Sequence, residues 1–147
     1  MAGTDVIRST LVDGRWQLAA GKSRFLFERL RPGSLLVSAS GSDTGQFGTA
    51  VLDEVRAEAM RFGPVRLFVD ATGAQYVAVE VSREWTKFFS TNRNNLRRVS
   101  VLVGSRAMQL TVAIAQHLSS TGSLVQIYTD PDLFYGLVNT ERVGGLV

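Results

Sequence analysis

The sequence predicts an α/β fold: a mixed β-sheet that opens with an antiparallel meander and continues with parallel strands and packed helices. Three observations carry this. Residues 15–40 hold three short apolar segments separated only by GKS and RPG, the turn punctuation of a meander. From Phe47 onward apolar residues recur at steps of four and three, the period of a helix lying on a core. Near-continuous apolar runs then alternate with helical patterns, the rhythm of parallel strands joined by right-handed crossovers.

Taken in order, residues 1–13 are polar and aperiodic and are expected to be a flexible N-terminus. RWQLAA (15–20), RFLFERL (24–30) and SLLVSAS (34–40) are the meander strands. Alternation in the second sets Phe25 and Phe27 on one face and Arg24, Leu26 and Glu28 on the other. Phe47, Val51, Val55, Ala59 and Phe62 make a helical stripe, with Asp53, Glu54, Arg56, Glu58 and Arg61 largely off it; Gly63-Pro64 ends that helix. VRLFVD (65–70) reads as a strand buried on both faces and closed by Asp70.

A second helix is expected from Ser82 to Asn94, with Trp85, Phe88, Phe89 and Asn92 on one side and Ser82 as N-cap. VSVLVG (99–104) repeats the buried-strand pattern. A third helix from Arg106 to Leu118 carries Leu110, Ala113, Ile114, His117 and Leu118 together. LVQIYT (124–129) is the last strand, and Pro131–Leu137 a short helix. Residues 14–138 are thus read as one α/β domain and residues 139–147 as a tail.

Composition removes much chemistry. The 147 residues, 45% of them hydrophobic, are enough for one real core. With no cysteine there is no disulfide, thiolate metal site or cysteine nucleophile, and a lone histidine, His117, cannot build a multi-histidine metal site. His117 itself falls on an apolar stripe and reads as a hydrogen-bonded boundary residue. No run of eighteen apolar residues exists, so no membrane span is expected, and MAGTDVIRST lacks the apolar stretch of a secretory signal; a cytoplasmic location is the expectation.

The loop GSDTGQFG (41–48) lacks both the lysine of a phosphate-binding loop and the spacing of a dinucleotide fingerprint. It reads as a strand-to-helix turn in which Ser42, Asp43 or Thr44 caps the helix. Asp70 ends a strand where open α/β sheets bind ligands, but Ala71, Thr72 and Gly73 make an Asx turn the simpler reading. No Gly-x-Ser-x-Gly elbow and no acid–base pair can be assembled, so no catalytic residue, no metal and no cofactor is expected.

Charge is better clustered. Within residues 83–106, Arg83, Lys87, Arg93, Arg97, Arg98 and Arg106 stand against Glu84 alone, although the whole chain carries only +3. Because Trp85, Phe88 and Phe89 follow core spacing, few aromatics are left to stack bases. A basic face for an acidic protein partner is therefore favoured over a nucleic-acid surface built on Arg93, Arg97 and Arg98.

The order of elements — strand VRLFVDATG, a long loop, helix REWTKFF, strand VSVLVG and strand VQIYTD — resembles the STAS family. That domain is shared by anti-sigma-factor antagonists and sulphate transporters, and the likeness, over about residues 24–138, is to its SpoIIAA-like bacterial branch. The resemblance implies a non-enzymatic regulatory module that docks a protein and is switched by phosphorylation at the start of the second helix. Counted from Asp70, the family's Asp-Ser pair falls on Ala78 and Val79, and Ser82 is the nearest hydroxyl. Ser82, Arg83, Lys87, Arg93, Arg97 and Arg98 are accordingly the expected partner-binding residues, with Ser82 as the candidate switch and a homodimer as one form of partnership. The alternative is a carrier of a small apolar ligand, with a sheet–helix pocket lined by Phe25, Phe27, Asp70, Trp85 and Phe89.

Overall fold

A computed structural model describes residues 5–104, 106, 109, 110, 113 and 123–144. Among them, seven strands form one sheet in which sequence order is also spatial order. Strands β1 (Ile7–Thr10), β2 (Trp16–Ala20), β3 (Ser23–Arg31) and β4 (Ser34–Asp43) run antiparallel to one another. Helix α1 (Ala50–Phe62) then crosses to β5 (Val65–Val77), α2 (Val79–Thr91) to β6 (Leu96–Leu102), and β7 (Val125–Tyr128) follows, with β4 to β7 all parallel. Helix α3 (Pro131–Gly144) ends the described chain. The mixed α/β sheet with its leading meander is as the sequence predicts.

Alternation along the strands assigns the layers. Leu35, Val37, Leu67, Val69 and Val99 point to the face covered by α1 and α2, where Val51, Val55, Phe88 and Phe89 close the main core. Leu36, Phe68 and Leu102 point the other way and meet Phe134 and Val138 of α3. The expected stripe of α1 is buried as read, from Phe47 through Ala59.

Four expectations need correction. Residues 7–10, assigned to a flexible N-terminus, form edge strand β1; Arg8 holds it to α1 through Glu54, with Nε to Oε2 at 2.8 Å. Helix α3 runs through residues 139–144, assigned to a tail, because Glu141 and Arg142 pair with Arg31 and Glu28 of β3. Glu58 is not off the core stripe but 3% exposed, and both its oxygens accept from Arg29 at 2.7 Å. The guanidinium of Arg29 also lies over the rings of Trp16 and Phe62, so the charged head is both paired and stacked. Finally, none of Ser42, Asp43 and Thr44 caps α1: the N-cap is Thr49, whose hydroxyl donates to the Asp53 carboxylate and accepts no backbone N–H. Residues 106, 109, 110 and 113 are helical, as expected, while His117, Ile114 and Leu118 lie outside the described residues.

Candidate functional site

The site begins where β5 outlasts its neighbour. Pairing of β5 with β6 stops at Asp70–Leu102, yet β5 continues beside β4 alone, with Ser40 opposite Gly73 and Asp43 opposite Val77. This two-strand ribbon needs small residues. A Cβ at Gly73 would sit 2.6 Å from the Ala39 carbonyl, and one at Gly41, where φ is +86°, would sit 2.6 Å from Ser23 Oγ. Ser23 Oγ in turn donates to the Ser42 carbonyl at 2.7 Å and accepts from the Ser42 N–H at 3.1 Å, tying the start of β3 to the ribbon.

The ribbon delivers α2. The N–H of Ala78 donates to the Asp43 carbonyl at 2.9 Å, which fixes the chain as it enters the helix, and Ala78 is the N-cap with an extended backbone and no side-chain cap. Ser82 is therefore not the N-cap. It lies inside the helix, its N–H donating to the Ala78 carbonyl at 3.2 Å and its own carbonyl accepting from Thr86 Oγ1 at 2.7 Å. Ser82 is buried, with 8% of its surface exposed.

Between ribbon and helix lies a cavity of about 90 Å³, lined by Phe25, Phe47, Val69, Val81, Trp85 and Phe89 among others, with Asp43 and the hydroxyl residues Ser23, Ser40, Ser42, Ser82 and Thr86 as its polar residues. Phe25 packs edge-on to Phe47 at 4.9 Å between ring centres and stacks on Trp85 at 6.0 Å, and Trp85 meets Phe89 at 6.0 Å. Among the described residues Asp43 is the one carboxyl that lines the cavity. Burial pushes that carboxyl above its ordinary range; the Gly45 N–H it accepts opposes the shift and Glu84 adds to it. The cavity wall, among the described residues, carries hydroxyls but no histidine, lysine or arginine. Among the described residues no group of three or more acidic or histidine side chains is placed to hold a metal.

Of the five residues expected in a pocket, Phe25, Trp85 and Phe89 line the cavity and two do not. Phe27 is sealed on the β2 side, stacked on Trp16 at 5.4 Å. Asp70 faces α3: Oδ1 accepts from the N–H and hydroxyl of Thr72 at 2.9 and 2.6 Å, and Oδ2 from the Tyr135 hydroxyl. Burial, reinforced by Asp70, raises the Tyr135 phenol far above its usual range. Strand parity separates Asp70 from its neighbours Val69 and Ala71, which do line the cavity.

Nor do the basic residues form one surface. Arg83 and Lys87 are exposed on α2, Arg93 is exposed in the 3₁₀ turn Arg93–Asn95, and Arg106 is exposed beyond β6. Arg97 and Arg98 lie on the face of α3: Arg97 comes within 3.8 Å of Glu141, and Arg98 is the register partner of Arg66. Sequence reasoning took Asp43 only as a candidate helix cap and gave no contact role to the exposed apolar pair Tyr76 and Val79 at the head of α2, 55% and 47% exposed.

Sheet order and the division of helices between its faces define a STAS-like, SpoIIAA-like α/β fold. An anti-sigma factor antagonist from Mycobacterium paratuberculosis superposes with a TM-score of 0.55 at 18% identity, covering 82% of this chain and 97% of that one. A Shewanella loihica protein described as uncharacterised with a SpoIIAA-like fold gives 0.49 at 11% identity over 94% and 95% of the two chains. The anti-sigma factor antagonist SpoIIAA in its unphosphorylated form gives 0.45 at 13% identity over 84% and 98%. No family model and no curated protein matches the sequence. No described helix is long and apolar enough to cross a membrane.

Proposed function

We propose that this chain is a non-enzymatic regulatory module that binds a protein partner through the exposed ridge of α2. The observation that supports this is Val79, Arg83 and Lys87, all exposed at steps of four along one helix, with Tyr76 exposed just ahead of them. Apolar anchors beside long cations are the composition of a protein interface, and they fit a partner offering an apolar recess flanked by acidic groups. The anti-sigma factor antagonist that shares the fold acts, by its name, on another protein, which agrees with this reading. The helix begins Ala78-Val79 with no hydroxyl and Ser82 is buried, so the reading is of a partner bound without a phosphorylation switch at this helix start. Division of the basic residues between two faces weighs against a nucleic-acid surface.

The test is affinity capture from the native host with the wild type, Val79→Glu and Lys87→Glu, each with thermal melts. A protein captured stoichiometrically by the wild type and lost from both variants at unchanged Tm is expected. Equal capture by all three overturns the proposal.

A second reading, carriage of a small apolar ligand, is favoured by the aromatic-lined cavity beside Trp85. Native mass spectrometry of protein purified from its host decides it: an added mass lost in Trp85→Ala supports carriage, and the bare polypeptide mass removes it.

A further inference from the structure

On the opposite face, at the end of the sheet where β5 and β6 begin, the geometry points to a second site: we propose that Arg66, Arg97 and Arg98 bind the phosphate group of a small molecule. The placement follows from a bulge. Val65 pairs with Leu96 but Arg66 with Arg98, so Arg97 is an extra residue in β6 and both arginines fall beside Arg66. Register partners on adjacent strands lie about 4.8 Å apart, so Arg66 and Arg98 start side by side, and the charges of both Arg98 and Arg97 are felt at Arg66.

Their donors are poorly used. Arg66 lies over the Phe68 ring with its Cζ 4.5 Å from the centroid, and its Nη1 is buried with no hydrogen-bond partner. Arg97 Nη2 reaches the Gly33 carbonyl at 3.4 Å and Ser34 Oγ at 3.5 Å, and Arg98 Nη1 reaches Gln126 Oε1 at 3.3 Å, all at the long end for hydrogen bonds. The acid at hand, Glu141, is already held by Arg31 at 3.1 and 3.2 Å and by the Ser34 hydroxyl, and stands 3.8 Å from Arg97. Burial holds the Arg66 guanidinium below its ordinary range; Arg98 and Arg97 add to the shift and Glu141 opposes it.

Crowded cations with a buried, unpartnered donor are a cost that an oxyanion relieves. Arg97 reaches toward β4 and Arg98 toward β7 with Arg66 between them, and planar forks of this kind match the oxygens of a tetrahedral dianion better than one flat carboxylate. Glu141 at the rim repels an extended polyanion, so a single phosphate on a small molecule is the ligand class, and a nucleic-acid backbone is the competing source of the same chemistry.

The probe is inorganic phosphate, titrated at constant ionic strength while the arginine Nε–H resonances are followed by NMR. Saturable shifts at Arg66 and Arg98 are expected with phosphate and not with chloride. Arg98→Gln should weaken binding about tenfold or more, as loss of a charged hydrogen bond does. Arg98 is exposed, so this variant tests the site even where Arg66→Gln fails to fold. Arg24→Gln, on an exposed part of β3, should bind like wild type. Absence of a phosphate-specific response, or a response that survives Arg98→Gln, overturns the proposal. A short RNA that binds through Arg98 while inorganic phosphate does not overturns it in favour of the backbone source.

Discussion

The two faces of the sheet solve burial differently. Under α1 and α2 the sheet carries an apolar core that, among the described residues, runs from Trp16 to Val125, with the cavity at the ribbon end. Under α3 the apolar contact is a small group, Leu36, Phe68, Leu102, Phe134 and Val138, and the helix is also fastened by Arg31–Glu141 and Arg142–Glu28 at its rim. Both faces carry ion pairs, Arg8–Glu54 and Arg29–Glu58 on α1 among them, but the first sets these beside a large apolar core, whereas the second adds them to a few rings only.

The largest effect should come from truncating the rings that anchor each face. Phe27→Ala should cost about 3–5 kcal/mol and lower Tm by about 10 °C or more. Phe134→Ala removes an equally buried ring. There, hydrogen exchange should show α3 amides losing protection while those of β2–β4 keep theirs. Uniform loss throughout the molecule would break the distinction between the faces.

Next is Glu58→Ala. It strips Arg29 of its buried partner and should cost about 3 kcal/mol, the low end for such a loss because Arg29 remains partly in water. A change within the error of a urea melt would show that stacking on Trp16 and Phe62 alone holds Arg29.

The smaller effects concern pH and have opposite signs on the two faces. Burial pushes Glu141 up, but the Ser34 hydroxyl and the Arg31 guanidinium outweigh it, so the carboxyl titrates below its ordinary value. Its stabilisation is present above the ordinary carboxylate range and is lost as pH falls through the folded value. Glu141→Gln should therefore lower Tm at neutral pH and leave it unchanged at strongly acid pH. Asp43 is raised, so its contribution is present in acid and is lost as pH rises through the folded value. Asp43→Asn, which keeps an acceptor for the Gly45 N–H, should raise Tm slightly at neutral pH, and the gain should vanish in acid. The same sign of change in both variants would sink the contrast.

Much of this was legible in the chain. Alternation around Phe25 and Phe27 and the turn residues between segments placed the meander, and the apolar runs 65–70 and 99–104 placed the inner strands. The ribbon was not legible, because ATGAQYV carries no apolar period; it is a strand only because Gly41 and Gly73 let two backbones approach beside Ser23. The start of α2 was misplaced by one turn for a related reason. Its cap is a backbone bond from Ala78 to Asp43 across the ribbon, and no side chain announces it. Phe27 is assigned to the pocket because alternation sets it on the face of Phe25, and Asp70 because it ends a strand where open α/β sheets bind ligands. Strand parity already separated Asp70 from Val69, and the partner of Phe27, Trp16, emerges only once β2 is paired.

The pairing of Arg31 with Glu141 joins residues 110 apart in the chain. A chain made from its N-terminus can pair β3, β4 and β5 long before Glu141 exists. Until Pro131–Gly144 is synthesised, Leu36, Phe68 and Leu102 have no α3 to cover them, and Arg31 lacks its anion. The half-made protein therefore passes through a stage with one finished side and one adhesive side. Ribosome pausing before residue 131 should lengthen that stage and favour capture by chaperones.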